Sequence, residues 1–526
     1  MITESVRYVG LDVHKRVVEA CLVDATGKVV HRERFALNRR TLELFATKVL
    51  RPSDHVALEA TTNCWAVTDA LRPHVAKVLV SNPMATKAIA QAKVKTDKVD
   101  AQVLAQLLRC NFLPEVWQPD QATRQLRELT GRRSVLVGQR TKMRNRIHAV
   151  LAVRLIEVSF KTLFSLEGLD WLATMEIDAQ GRLLIDSDLQ QLEHLQEQIE
   201  TLDRELARRG HASDAVKLLM TLPGVDVATA EAMLAAWGDI TRFADGDHAA
   251  SYLGLTPSTK QSADRCYHGS ITKRGNSQAR WMLIEAAQHL DKHPGPLGHF
   301  FRRLLKKKTR NVAVVAAARK LAVIGWLMLD SNEPYRYAIP KTAELKLSKL
   351  RVKATGQRHK GGLAKGTKRQ AKLPGGSRTI KSLAAVCQTE GLPSPLPLSS
   401  GERRTVKEAG CDAFVDQIGR TQVVPRHTNA SKANAEANHA AIAHQDAIAT
   451  GSPAAVTSAE RPRRQTSGRA RQASCQVQTS APHRLSGFRP HRAGEQGDEA
   501  PPPAPPTLSS VPGRRRAAAT KSAPAS

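Results

Sequence analysis

The sequence predicts an α/β N-terminal domain, a helical middle, a mostly helical third segment and a disordered tail. Three observations carry this. Strand-like segments run in series from residue 5 to about 38 and give way to alternating helix and strand. From about residue 119 to 209 apolar residues recur at helical steps. All six Trp and all five Tyr lie before residue 338. At 526 residues the chain exceeds one core. The predicted boundaries are 1–115, 116–210, 211–334 and 335–526.

SVRYVGLDV is an apolar run with one acid in it. VVEACLVD and VVHRERFAL flank Asp24-Ala25-Thr26-Gly27, a turn signal, so these two form a hairpin. A helix is expected from Thr41 to Leu50, a short buried strand at 56–60, and a helix from Trp65 to Leu71. A strand over 75–83 is stopped by Asn82-Pro83, and a helical pattern then runs to about Arg109. That order matches a ribonuclease-H-like layout.

In the middle segment Leu189, Leu192, Leu195, Ile199, Leu202 and Leu206 form a narrow apolar seam. Such a seam predicts pairing with another helix, in a coiled coil within the chain or with a partner. Residues 122–154 form a basic companion with Arg132, Arg133, Arg140, Lys142, Arg144, Arg146 and Arg154. Any one of these suits a solvated helix face; as a set they suggest contact with a nucleic-acid backbone. The third segment opens with LMTLPGVDVATAEAML, where Gly224 suits a helix-hairpin-helix turn that offers backbone N–H groups to phosphate. Lys273-Arg274-Gly275-Asn276 sets two cations and a turn before a helix carrying Arg280, again a phosphate-friendly arrangement. The closing helix NVAVVAAARKLAVIGWLML contains Arg319 and Lys320 and reads as a core helix.

The formal net charge is +30 and the pI about 10.2. Residues 341–526 hold +19 of that charge. A surplus this large favours a polyanionic partner, because neutralising phosphates releases counterions. PSPLPLSSGERR, PRRQTSGRARQ and PPPAPPTLSS are low-complexity stretches, and with so few aromatics the tail is expected to be disordered. Seven scattered cysteines with no C-x-x-C pair suit reduced thiols. No signal peptide and no membrane span are expected, so the location should be cytoplasmic and nucleoid-associated.

Four acids stand out. Asp12 lies near the end of an apolar strand, and Glu59 ends another. An ionised acid there is costly unless paired or metal-bound. Asp97 and Asp100 follow Thr96, a natural N-cap, and share one face of a first helical turn. Taken singly, each could be structural, since acids complement a helix N-terminus. Together they suit Mg²⁺ or Mn²⁺, hard ions that prefer oxygen ligands. Two such ions can assist in-line displacement at a phosphodiester. His14 and Lys15 are weaker candidates for phosphate contact. Asp24 reads as a turn residue and Asp54 as a surface one.

GLDVHK, LEAT, SNP and KTDKVDAQVLAQLLR resemble the DEDD transposases of the insertion sequence 110 family. LPGV, AASYLGLTP and GSITKRGNSQAR resemble that family's C-terminal transposase domain. The resemblance covers roughly residues 5 to 330. It implies a RuvC-like N-terminal domain and a catalytic set of Asp12, Glu59, Asp97 and Asp100. It also implies a nucleophilic serine which, aligned on Gly-Leu-Thr-Pro, falls at Ser262 and joins covalently to DNA. Residue chemistry alone leaves Ser258, Ser270 and Ser277 open beside it. The resemblance further implies a noncoding guide RNA and a homo-oligomer, dimer or tetramer. Ala279 departs from the larger apolar residue usual in the family, a packing change. Two other readings stand: a Holliday-junction resolvase, which needs the acids and no covalent serine, and a non-catalytic nucleic-acid-binding protein.

Overall fold

The computed structural model describes residues 5–89, 96–160, 162–262, 265–356 and 377–425. The first strands are β1 (Tyr8–Val13), β2 (Val17–Val23) and β3 (Val29–Ala36), followed by α1 (Arg39–Lys48) and β4 (His55–Glu59). Next come α2 (Cys64–Leu71), β5 (Lys77–Ser81), α3 (Pro83–Ile89) and α4 (Asp97–Arg109). The strands form one sheet in the order β3-β2-β1-β4-β5. β1, β2 and β3 pair antiparallel, and β4 and β5 run parallel to β1.

Alternation along β1 sorts its side chains. Val9, Leu11 and Val13 join a core with Leu42 and Phe45 of α1 and Val67 and Leu71 of α2. Gly10 and Asp12 face the other way, toward α4. Gly10 sets the spacing there, because an added Cβ would stand 1.9 Å from the Ala101 carbonyl oxygen. With no side chain at position 10, α4 lies directly on β1. Asp54 is buried, not on the surface. The Arg7 guanidinium donates to both its carboxylate oxygens at 2.9 and 2.7 Å, and the Arg51 amide donates as well. An acid in a tight turn found a half-buried cation that sequence distance concealed.

The middle consists of α5 (Gln121–Val153), α6 (Leu166–Thr174) and α7 (Ala179–Ala212). α5 and α7 pack antiparallel within this chain. Arg133 meets Asp203, Arg140 donates to Gln196, Arg146 meets Asp188, and Arg154 meets Asp178. Four cations expected to face a nucleic-acid backbone are thus engaged by α7. Burial explains it: Asp188 is 1% exposed and requires a counter-charge.

The third segment holds α8 (Asp214–Leu219), α9 (Val227–Trp237), α10 (Gly246–Tyr252), β6 (Pro257–Ser262) and β7 (Arg265–Ile271). It continues through α11 (Ser277–Ala287), α12 (Pro296–Leu305) and α13 (Arg310–Asp330). By length and composition α13 could cross a membrane, yet Ala313, Ala317, Leu321 and Ala322 are buried in the largest core of the described residues. Ala279 is fully buried in the same core.

Structure continues past residue 335, where a disordered tail was expected. α14 (Pro340–Thr355), β8 (Ser377–Ile380), α15 (Leu383–Glu390), α16 (Ser400–Glu408), α17 (Asp412–Gly419) and β9 (Gln422–Pro425) follow. Leu347, Leu350, Leu383, Cys387 and Leu392 bury into the core of α9, α11 and α13. Aliphatic side chains supply the burial that the missing aromatics seemed to rule out. The rest of the expected tail, 357–376 and 426–526, lies outside the described residues.

Candidate active site

Strand register brings two of the acids together. Leu11 of β1 pairs with Leu58 of β4, so Asp12 and Glu59, each one residue on, stand side by side on the α4 face. α4 brings the other two. Thr96 caps it by accepting from the Val99 amide, which puts Asp97 and Asp100 in its first turn. Because Gly10 lets α4 lie on β1, that first turn comes to the end of β1 where Asp12 stands.

Asp12 feels the result. Burial, chiefly, raises its carboxyl pKa; Asp97 and Asp100 raise it further, while His14 acts against them. A carboxylate in this setting holds its charge more readily beside a cation. His14 Nε2 lies 3.2 Å from Asp12 and 3.4 Å from Asp97. One ligand atom from each of Asp12, His14 and Asp97 lies within 4.8 Å of the others. Two carboxylates and an imidazole at that spacing fit a divalent ion. Sequence reasoning undervalued His14. The signal for it was its position two residues after Asp12, where strand alternation turns it to the same side.

The residues expected to touch nucleic acid are placed differently. Gly224 has a φ of +76°, and a Cβ there would meet the Ala286 carbonyl oxygen at 2.2 Å. Its glycine is explained by close packing on α11. The same turn takes a cation from α14: Lys346 Nζ donates to the Leu222 and Val225 carbonyls at 2.6 and 2.9 Å. Asn276 caps α11 by accepting from the Ala279 amide at 2.9 Å. Gly275 lies against the Tyr252 carbonyl. Arg280 donates to the carbonyls of Leu253 and Arg274, so it holds the loop together. Lys273 and Arg274 are exposed. Ser262 is exposed at the end of β6, on a two-stranded sheet separate from the one that carries Asp12 and Glu59.

Residues 9–154 match the DEDD transposase model of the IS110 type, and residues 216–301 match that of transposases of the IS116/IS110/IS902 family. Both matches are to insertion-sequence transposases of the IS110 type. The match takes in all four acids as well as Ser262. A Sinorhizobium fredii protein described as a transposase is 28% identical to this chain over 347 residues, spanning 64% of this chain and 87% of that one. The transposase for insertion sequence element IS1111A of Coxiella burnetii is 25% identical, over 63% of this chain and 92% of its own. The pilin gene-inverting protein of Moraxella bovis is 27% identical, over 62% and 97%.

Proposed function

We propose that this protein is a transposase of the IS110 type, which cuts and rejoins DNA strands for the movement of an insertion sequence. On this reading Asp12, Glu59, Asp97 and Asp100 hold divalent metal, Mg²⁺ or Mn²⁺, with His14 as an added donor. The single observation that carries it is the approach of Asp12 and Asp97, 85 positions apart, to one imidazole and to one another. The sheet order, with β1 central and α4 laid on it, supports a ribonuclease-H-like, RuvC-like domain. When bound, such an ion supplies charge stabilisation at the phosphoryl oxygens and lowers the pKa of an attacking hydroxyl.

The chain's own residues do the rest. Ser262 Oγ gives up its proton and bonds to a DNA phosphorus. One bridging P–O bond breaks, and the released deoxyribose hydroxyl takes up a proton. Attack by a hydroxyl of a second strand reverses these changes, frees Ser262 and rejoins the DNA. Exposed Lys273 and Arg274, at the start of the loop before α11, supply positive charge for the phosphate. Because Ser262 is exposed on its own hairpin, a second copy of the chain brings it to the carboxylates. The protein therefore works as a homo-oligomer. The noncoding guide RNA fits a protein that reads backbone and shape while base pairing reads sequence. Action on the chromosome puts it in the cytoplasm at the nucleoid.

The separate position of the hairpin also suits a junction resolvase, which uses the acids alone. Trapping on a nicked DNA substrate decides. The transposase reading expects a covalent protein–DNA adduct that is absent in Ser262→Ala. Cleavage without any adduct in the parent chain, unchanged in Ser262→Ala, supports the resolvase.

A further inference from the structure

A cleft of about 520 Å³ opens between α5 and α11, with the Pro223-Gly224 turn as its floor. That volume lies within the roughly 300–1,000 Å³ of small-molecule sites. Its lining is unusual in three ways.

Trp281 of α11 stands in the wall, 45% exposed, and makes no ring contact with the described residues. Glu285 lies one helical turn further along the same face of α11. Its carboxylate makes no hydrogen bond or ion pair with the described residues. Arg140 of α5 faces them across the cleft. Its Nη1 donates to Gln196, while its Nε is buried with no acceptor. Asp203, the nearby acid, is taken by Arg133 and Lys353. Burial first, then the charges of Arg144 and Arg133, lower the proton affinity of Arg140, so an anion beside it would relieve a strained cation. Lys292 adds a second positive charge at the rim. The other acid of the cleft, Asp226, is committed to capping α9 through the Thr229 amide and hydroxyl at 2.8 and 2.7 Å.

We propose that this cleft binds one unpaired guanine nucleotide of a DNA or RNA strand, with the base on Trp281, its Watson–Crick edge on Glu285 and its phosphate on Arg140 and Lys292. An aromatic face stacks on any base. The carboxylate makes the choice among them. Guanine presents two adjacent donors, N1–H and the 2-amino group, which match two carboxylate oxygens. Adenine, cytosine and thymine or uracil each set an acceptor beside their donor, and a carboxylate repels that acceptor. This goes beyond strand cleavage, since the cleft is built from α5, α11 and the turn before α9 and not from the carboxylate-bearing sheet.

The test is binding of labelled oligothymidylate carrying one central guanine or adenine to the full-length chain. Excess chelator removes any contribution from metal-dependent DNA binding at the acids. The guanine strand should bind at least about tenfold tighter, the scale of one bidentate base contact. Glu285→Gln should erase that preference. Trp281→Ala should weaken both strands, while Trp281→Phe, which keeps an aromatic face, should retain the preference. Running the same pair as oligouridylate identifies the strand by the sugar that binds better. Equal affinity for guanine and adenine, or a preference that survives Glu285→Gln, overturns the proposal. Asp12→Ala should leave this binding unchanged, so failure here is distinct from failure of the strand-cleavage reading.

Discussion

His14 illustrates how a single side chain can redefine a site. Its Nε2 sits between Asp12 and Asp97, where an imidazole nitrogen can bind metal directly. Mn²⁺ added to the full chain should therefore give an electron spin-echo signal modulated by ¹⁴N, and His14→Gln should lose that modulation while still binding the ion. Bound Mn²⁺ with no nitrogen modulation in the parent chain would exclude His14 as a ligand. Glu231 makes a separate residue-scale case. It is buried in α9, its Oε1 has no hydrogen-bond partner, and burial pushes its carboxyl from 4.5 up to about 7. A raised carboxyl pKa contributes stability that is complete below the unfolded value and lost as pH rises through the folded one. Between about pH 4.5 and 7 the parent chain should therefore lose up to about 3 kcal/mol that Glu231→Gln retains, at 1.36 kcal/mol per unit. Urea unfolding at pH 4 and pH 8 checks this: the variant should gain on the parent only at the higher pH.

At the scale of elements, the site depends on how closely α4 approaches β1. The Gly10 position admits no Cβ without displacing Ala101. Gly10→Ala should cost about 1–3 kcal/mol, as overpacking does. It should also weaken Mn²⁺ binding, because Asp97 and Asp100 move with α4. Retained metal affinity in a destabilised Gly10→Ala chain would separate α4 docking from the site. The helical hairpin teaches a related point. The apolar seam from Leu189 to Leu206 announced that α7 needs a partner helix. The identity of that partner, α5, was hidden in Arg133, Arg146 and Arg154. Each pairs with an acid 70, 42 or 24 positions away and so looked free for nucleic acid.

For the whole molecule, the proposed chemistry asks for Ser262 and the acids to come from different copies. Asp12→Ala and Ser262→Ala should each reduce strand transfer at least about 1,000-fold, the scale of losing a nucleophile or its essential partner. Mixed oligomers of the two variants should recover measurable activity, because some assemblies then hold one intact composite site. No recovery on mixing would place both groups in one chain. The C-terminal region enters at this scale as well: α14 sends Lys346 into the Leu222–Val225 turn, so α14 is built into the core and is not an appendage.

Some of this was legible in the residues themselves. Strand alternation, the Thr96 cap and the heptad-like seam are local signals, because secondary structure answers to neighbours within a few positions. The four acids were found the same way, each from its own strand end or helix turn. Tertiary structure alone decided which charges meet. Asp54 found Arg7, the α5 arginines found α7, and His14 found both Asp12 and Asp97. The burial of Leu347, Leu350, Leu383, Cys387 and Leu392 was likewise decided by docking onto α9, α11 and α13. Burial and ion pairing depend on groups far apart in the chain, and their free energy is set only when the fold brings them together.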